Sequence, residues 1–166
     1  VAGFLSRLGV DRADLDDAVQ EVFLVVHRRG GYVEGPARPP TWLAEIALRV
    51  ASQLRRTRRR RAWQADPAPE DAEGRDARTP FEALDAAESL ARVQRAIDAL
   101  SLEQGAVFIL YEIEGEPCES IAAGLGVPIG TVYSRLHAAR RAFVKTYERL
   151  GAAPPARVAD QRGALP

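Results

Sequence analysis

Apolar residues recur every three or four positions through most of this chain, and nowhere do they alternate with polar ones over a strand's length. The longer period gathers side chains on one face of a helix, whereas a sheet needs period two. The sequence therefore predicts an all-α fold. Leu15, Ala18, Val19, Val22, Phe23 and Val26 form the first stripe, with Asp14 placed to cap it and Gly30-Gly31 following the basic end at Arg28-Arg29. A second stripe opens near Pro40-Thr41, where proline suits a first helical turn. It carries Leu43, Ile46, Ala47, Val50 and Leu54 into the tract Arg55-Arg56-Thr57-Arg58-Arg59-Arg60-Arg61. Leu90, Val93, Ile97 and Leu100 mark a third helix. Ser101 and Gln104 have the spacing of a capping box and start a fourth with Leu102, Ala106, Ile109, Leu110 and Ile113, ended by Gly115. Ile121-Ala122, a turn at Gly124-Leu125-Gly126-Val127, and a long stripe from about Pro128 through Val132, Leu136, Ala139 and Phe143 have the layout of a helix-turn-helix.

The 23 basic and 23 acidic residues cancel, but only on average. Residues 1–63 carry 12 basic and 7 acidic residues, 64–90 carry 2 and 8, and 91–150 carry 7 of each. A basic front and an acidic middle point to a polyanionic partner. Gln64 to Pro80 is acidic, proline-containing and poor in apolar residues, the composition of a tether that cannot build a core. About 17 residues at ~3.5 Å each reach ~60 Å, nearly two turns of duplex DNA at ~34 Å per turn. The expected organisation is two small helical domains, 1–63 and 84–150, joined by a flexible acidic linker at 64–83 and followed by a disordered tail at 151–166. Each domain, near 60 residues, would be marginally stable alone.

Several classes are set aside. No apolar run approaches the ~18 residues of a membrane span, so no membrane insertion is expected. A single cysteine, Cys118, cannot form an internal disulfide or a zinc thiolate cluster, which fits a reducing cytoplasm. The phosphate-binding glycine loop, HExxH and GxSxG motifs are missing, and Asp16-Asp17 are helix neighbours that do not face each other, so no enzyme active site, metal or cofactor is expected. The opening Val1 and the lack of methionine suggest that something upstream is missing.

Three outward faces remain. Thr131, Ser134, Arg135 and Ala138 lie off the apolar stripe at the start of the last helix, where a recognition helix presents side chains to the major groove. Arg135 suits the paired acceptors of guanine, and Arg140, Arg141 and Lys145 are placed for phosphates. Tyr133 and His137 lie between the stripes and serve either DNA or solvent. Arg49, Gln53, Arg56 and Arg60, with Arg55 and Arg59 beside them, make one cationic stripe suited to tracking phosphates, or else a solvated basic tract. Gln53 offers an adenine contact, and Trp42 is either a core anchor or a stacking platform for an unpaired base. Asp17, Gln20, Glu21 and Leu24 form an acidic face with one exposed leucine, which would repel DNA and so meets either solvent or a basic protein surface, the leucine favouring the latter.

These stretches resemble the extracytoplasmic-function sigma factors of the bacterial sigma-70 superfamily. Asp14-Leu15-Asp16-Asp17-Ala18-Val19-Gln20-Glu21-Val22-Phe23 is similar to the polymerase-binding part of region two. Thr41-Trp42-Leu43-Ala44-Glu45-Ile46-Ala47 with the arginine tract is similar to its melting and −10 parts. Val107 to Gly115 and Ile121 to Leu136 are similar to region four. The resemblance implies core RNA polymerase as partner, through the clamp helices of its largest subunit and through its flap. It further implies promoter DNA and, in some settings, an anti-sigma factor. Asp17, Gln20, Glu21 and Leu24 would meet polymerase. Trp42, Arg49, Gln53, Arg55, Arg56, Arg59 and Arg60 would serve −10 recognition and strand opening, and the loop 31–40 would supply a base pocket. Thr131, Tyr133, Ser134, Arg135, Arg140 and Arg141 would meet the −35 element. Relative to the family pattern, the usual opening helix of region two is expected to be missing ahead of Val1. A sigma-like decoy that sequesters an anti-sigma partner and a simple helix-turn-helix regulator are the alternatives.

Overall fold

A computed structural model describes residues 1–64 and 81–151 of the chain, and within them all regular structure is helical. Seven α-helices follow in order: α1 (Ala2–Arg7), α2 (Arg12–Arg28), α3 (Pro39–Gln64), α4 (Phe81–Asp98), α5 (Leu102–Phe108), α6 (Cys118–Leu125) and α7 (Ile129–Gly151). The expected linker lies mostly, and the tail almost wholly, outside the described residues.

The periodic stripes become the core. Ala18 and Val22 of α2, Ile46, Ala47, Val50 and Ala51 of α3, Ile97 and Leu100 around the end of α4, and Val132, Leu136 and Ala139 of α7 are all buried. The capping box forms as read: Ser101 Oγ accepts from the Gln104 amide and Gln104 Oε1 accepts from the Ser101 amide, both at 3.2 Å. Such caps contribute about 1 kcal/mol by satisfying orphan amides of a first turn.

Three expectations are corrected, and one helix carried no readable signal: α1, ahead of α2, buries Phe4 and Leu5, but six residues are too few to show a period. The cap of α2 is Asp11, and Asp14 sits inside the first turn. Phe23 and Leu90 leave the apolar face and are 52% and 70% exposed. Gly124 is helical, and the turn is made at Gly126, whose φ of 65° is left-handed. One further detail was not anticipated: α5 runs on into a wider π-helical turn, Ile109–Ile113.

The two halves share one core. A single apolar cluster joins Leu5, Leu8 and Ala47 of the front half to Leu100, Leu110 and Ile121 of the back half. The tightest seam is between the start of α3 and α6. Thr41 is fully buried there and its hydroxyl lies 2.9 Å from that of Ser120. Thr41 Oγ1 already gives its one proton to the Arg38 carbonyl at 2.9 Å, so Ser120 is the donor between the hydroxyls. Ser120 Oγ in turn accepts from the Arg38 amide at 3.0 Å, closing the circuit. A Cβ at Gly124 would stand 2.7 Å from the Thr41 backbone. Glycine inside a helix costs roughly 0.5–1 kcal/mol relative to alanine, and here that cost is the condition of close approach. Arg7 and Gln94 tie the halves again: Gln94 Nε2 donates to the Arg7 carbonyl at 3.1 Å, and Arg7 pairs with Glu114 at 3.3 Å.

Candidate nucleic-acid interface

Because α3 is unbroken over 26 residues, the offsets among Arg49, Gln53, Arg56 and Arg60 do become one stripe. All four side chains are exposed, as is Arg59. Arg49 is paired with Glu45, one turn earlier, and Glu45 also takes Arg29 at 2.8 Å. Arg55 is placed differently: it is half-buried, and its guanidinium donates to the Leu8 carbonyl at 2.6 Å, closing the end of α1. Arg58 likewise turns away, bridging Asp11 and Asp14 at the start of α2, the latter at 2.8 Å. The tract therefore divides into arginines that fasten α1 and α2 and arginines that stand free of acidic partners among the described residues.

Trp42 is half-buried at the start of the same helix, with its ring edge-on to Tyr32, 5.7 Å between centroids. Tyr32 Oη donates to the Ala37 carbonyl at 2.7 Å, which folds the loop 31–40 back on itself beside the stripe. Trp42 is thus a core contact that also meets the loop through Tyr32. Sequence reasoning did not foresee Tyr32, since a lone aromatic after Gly-Gly carries no periodic signal.

At the other surface, Gly126 turns α6 into α7, and Val132 and Leu136 anchor α7 inward. That leaves Tyr133 and Ser134 exposed and Thr131 and Arg135 at the margin of the helix, on its first two turns. Ser134 Oγ donates to the Thr131 carbonyl at 3.0 Å, so it remains able to accept from a base or a phosphate-bound water. Arg141 is exposed. Arg140 is exposed too, but its Nε donates to Glu112 at 2.6 Å and its guanidinium covers the Tyr111 ring at 5.2 Å. The hydrogen bond to Glu112 is the main reason its pKa is raised.

The acidic face of α2 presents Asp17, Gln20 and Leu24 outward, and Glu21 at its edge, 3.8 Å from Arg28. Leu24 is 42% exposed, and the misplaced Phe23 stands beside it, so the patch has two apolar residues where the sequence suggested one. Cys118, at the start of α6, is buried, and burial is the main cause that pushes its thiol pKa up, away from a reactive thiolate. Among the described residues no cluster of His, Cys, Asp and Glu could hold a metal, and no helix is long and apolar enough to cross a membrane.

A helix-turn-helix with an exposed leading edge, packed on a second helical unit bearing an arginine stripe and an acidic face, has the layout of a two-part DNA-binding protein. Comparison with known proteins narrows the class. Residues 1–61 match the model of sigma-70 region 2, and residues 90–143 match that of sigma-70, region 4. The chain is 32% identical over 157 residues to the RNA polymerase sigma-H factor of Pseudomonas aeruginosa, covering 90% of this chain and 81% of that one. It is 35% identical over 147 residues to the ECF RNA polymerase sigma-E factor of Haemophilus influenzae, covering 84% and 77%. The fold is similar to that of the sigma factor RpoE from Bartonella quintana, solved in complex with the anti-sigma factor NepR, with a TM-score of 0.64, 21% identity and 89% of each chain covered. The chain belongs to the sigma-70 family, in its extracytoplasmic-function branch.

Proposed function

We propose that this sigma factor acts in the cytoplasm, binds core RNA polymerase through α2, and directs it to a two-element promoter whose upstream edge it helps to melt. Asp17, Gln20, Glu21 and Leu24, with Phe23, form the polymerase-binding face, directed at the clamp helices of the largest subunit, while the back half meets the flap. An acidic face with apolar residues suits a basic protein surface and disfavours DNA. Arg49, Gln53, Arg56, Arg59 and Arg60 track the −10 strand, and Trp42 with the loop 31–40 receives an unstacked base, whose extrusion costs a few kcal/mol that the cationic stripe offsets. Thr131, Tyr133, Ser134, Arg135 and Arg141 read the −35 element. Arg140 joins them once it leaves Glu112, and Arg55 acts by holding α1 in place. The observation that carries this reading is the presence on one chain of two separate DNA-suited helical surfaces and a third, acidic one.

Transcription by bacterial core polymerase plus this chain, on templates selected from randomised DNA, tests it. Arg135→Ala should lower initiation about 5- to 150-fold and relax preference in the upstream element, as loss of one bidentate base contact does. Asp17→Ala should weaken core binding without altering which sequence is preferred. If no template is initiated but an anti-sigma factor binds tightly, the chain is a decoy. If duplex is bound equally well without polymerase and with Asp17→Ala, it is a plain regulator.

A further inference from the structure

We propose that Glu45 is a positioning residue of the −10 surface: its carboxylate aims the Arg49 guanidinium at the strand being opened and ties down the end of α2 from which the loop 31–40 departs. The inference rests on the sigma-factor reading above and names a residue on which promoter opening, rather than promoter choice, depends.

An acid inside the stripe works against it. Glu45 and Arg49 follow Trp42 on α3 by 3 and 7 residues, so the three share one face, with Arg56 two further turns along. Glu45 therefore stands between the aromatic ring and the first arginine of the stripe, where an unpaired carboxylate would repel the phosphates that the stripe attracts. It is not unpaired. Glu45 Oε2 accepts from Arg29 Nη1 at 2.8 Å, and Oε1 meets Arg49 Nε as an ion pair rather than an aligned hydrogen bond. The Glu45 side chain is 12% exposed and that of Arg49 71%, so the acid is sunk among the helices while the base stands out in solvent.

Because Arg49 turns its Nε to the acid, both of its terminal nitrogens are left for a ligand. A free exposed arginine samples many rotamers, whereas one held at Nε keeps its outer edge in one direction and loses less entropy when that edge meets a phosphate. Arg29 carries the second consequence. It caps α2, and Gly30 and Gly31 follow with φ of 77° and 89°, left-handed conformations that send the chain into the loop 31–40. Tyr32 comes next and lies edge-on to Trp42. One carboxylate thus joins the departure point of the loop to the arginine that leads the stripe, and two guanidiniums more than offset its charge. The cost of unstacking a base is offset only when ring and phosphate contacts are in place together, which is what this linkage secures.

Glu45→Gln in the full chain keeps the shape of the side chain and removes its charge. With core polymerase on the selected template, opening followed by 2-aminopurine fluorescence in the −10 element should slow about three- to tenfold, while binding of the closed complex in the cold stays within about twofold of the parent. On a template mismatched across −10, where little is left to melt, initiation should return to within about twofold of the parent. Combining Glu45→Gln with Arg49→Ala should slow opening by less than the product of the separate factors, because both changes remove one interaction. Opening as fast as the parent's, or faster, would overturn the proposal, since the acid would then only oppose DNA. A loss already present in the closed complex, or one of equal size on the mismatched template, would overturn it as the mark of a damaged fold, and so would separate factors that simply multiply. If the parent itself opens no template, the sigma-factor reading has failed and the role of Glu45 falls with it.

Discussion

Replacing Arg56, Arg59 and Arg60 together by Gln should flatten the salt dependence of DNA binding by the assembled polymerase complex. Each phosphate contact contributes about 0.7–0.9 to the slope of log affinity against log salt, so the triple change should remove about 2 to 2.7. The affinity lost should be largest at low salt, where counterion release is most favourable. These three arginines are exposed and carry no acidic partner among the described residues, so removing them should leave the fold intact. Arg58→Gln is the internal control. Its guanidinium holds Asp11 and Asp14, and the change should lower stability by about 1 kcal/mol or less while leaving the slope nearly unchanged. Equal slopes for the triple variant and the parent, measured by titration between low and physiological salt, would mean that this stripe does not face the phosphates.

Ile121→Ala should destabilise the chain by about 2–5 kcal/mol, because Ile121 is fully buried in α6 and the neighbouring helices cannot collapse into the space it leaves. For a protein of this size that corresponds to a melting point lower by roughly 6–15 °C. The shape of the transition is the more informative outcome. Since Leu5 of α1 and Ile121 belong to one apolar cluster, Leu5→Ala and Ile121→Ala should each shift a single calorimetric transition of the free chain. Two transitions, with each substitution moving only its own, would show halves that melt independently.

The sequence made the elements legible wherever a stripe was long enough to display its period. The stripes of α2, α3 and α7 and the Ser101–Gln104 box were read directly. So was the helix-turn-helix, because few other arrangements place Ile121-Ala122, a glycine-containing turn and Val132 and Leu136 at those intervals. Periodicity says which face of a helix is buried but not what buries it, and here the reading stopped. Gly124 looked like part of the turn because glycine is a turn residue by default. It is instead a helical position where Thr41, 83 residues earlier, comes too close for a side chain. Arg55 looks like a stripe residue because its acceptor, the Leu8 carbonyl, is distant in sequence. Phe23 adjoins Val22 in the apolar stripe, yet one residue turns a helix by about 100°, enough to bring it to the exposed face beside Leu24. The misreadings of Gly124 and Arg55 have the same origin, a long-range contact that no local pattern reports.

Photo-cross-linking from two positions of the polymerase-bound chain tests the central claim most directly. A cross-linker at Gln53 should map to the promoter near −10, and one at Ser134 to the same DNA molecule near −35, about 25 base pairs upstream and ~85 Å away along the duplex. Cross-links from both positions to one site, or from neither in a complex that has assembled, would contradict it.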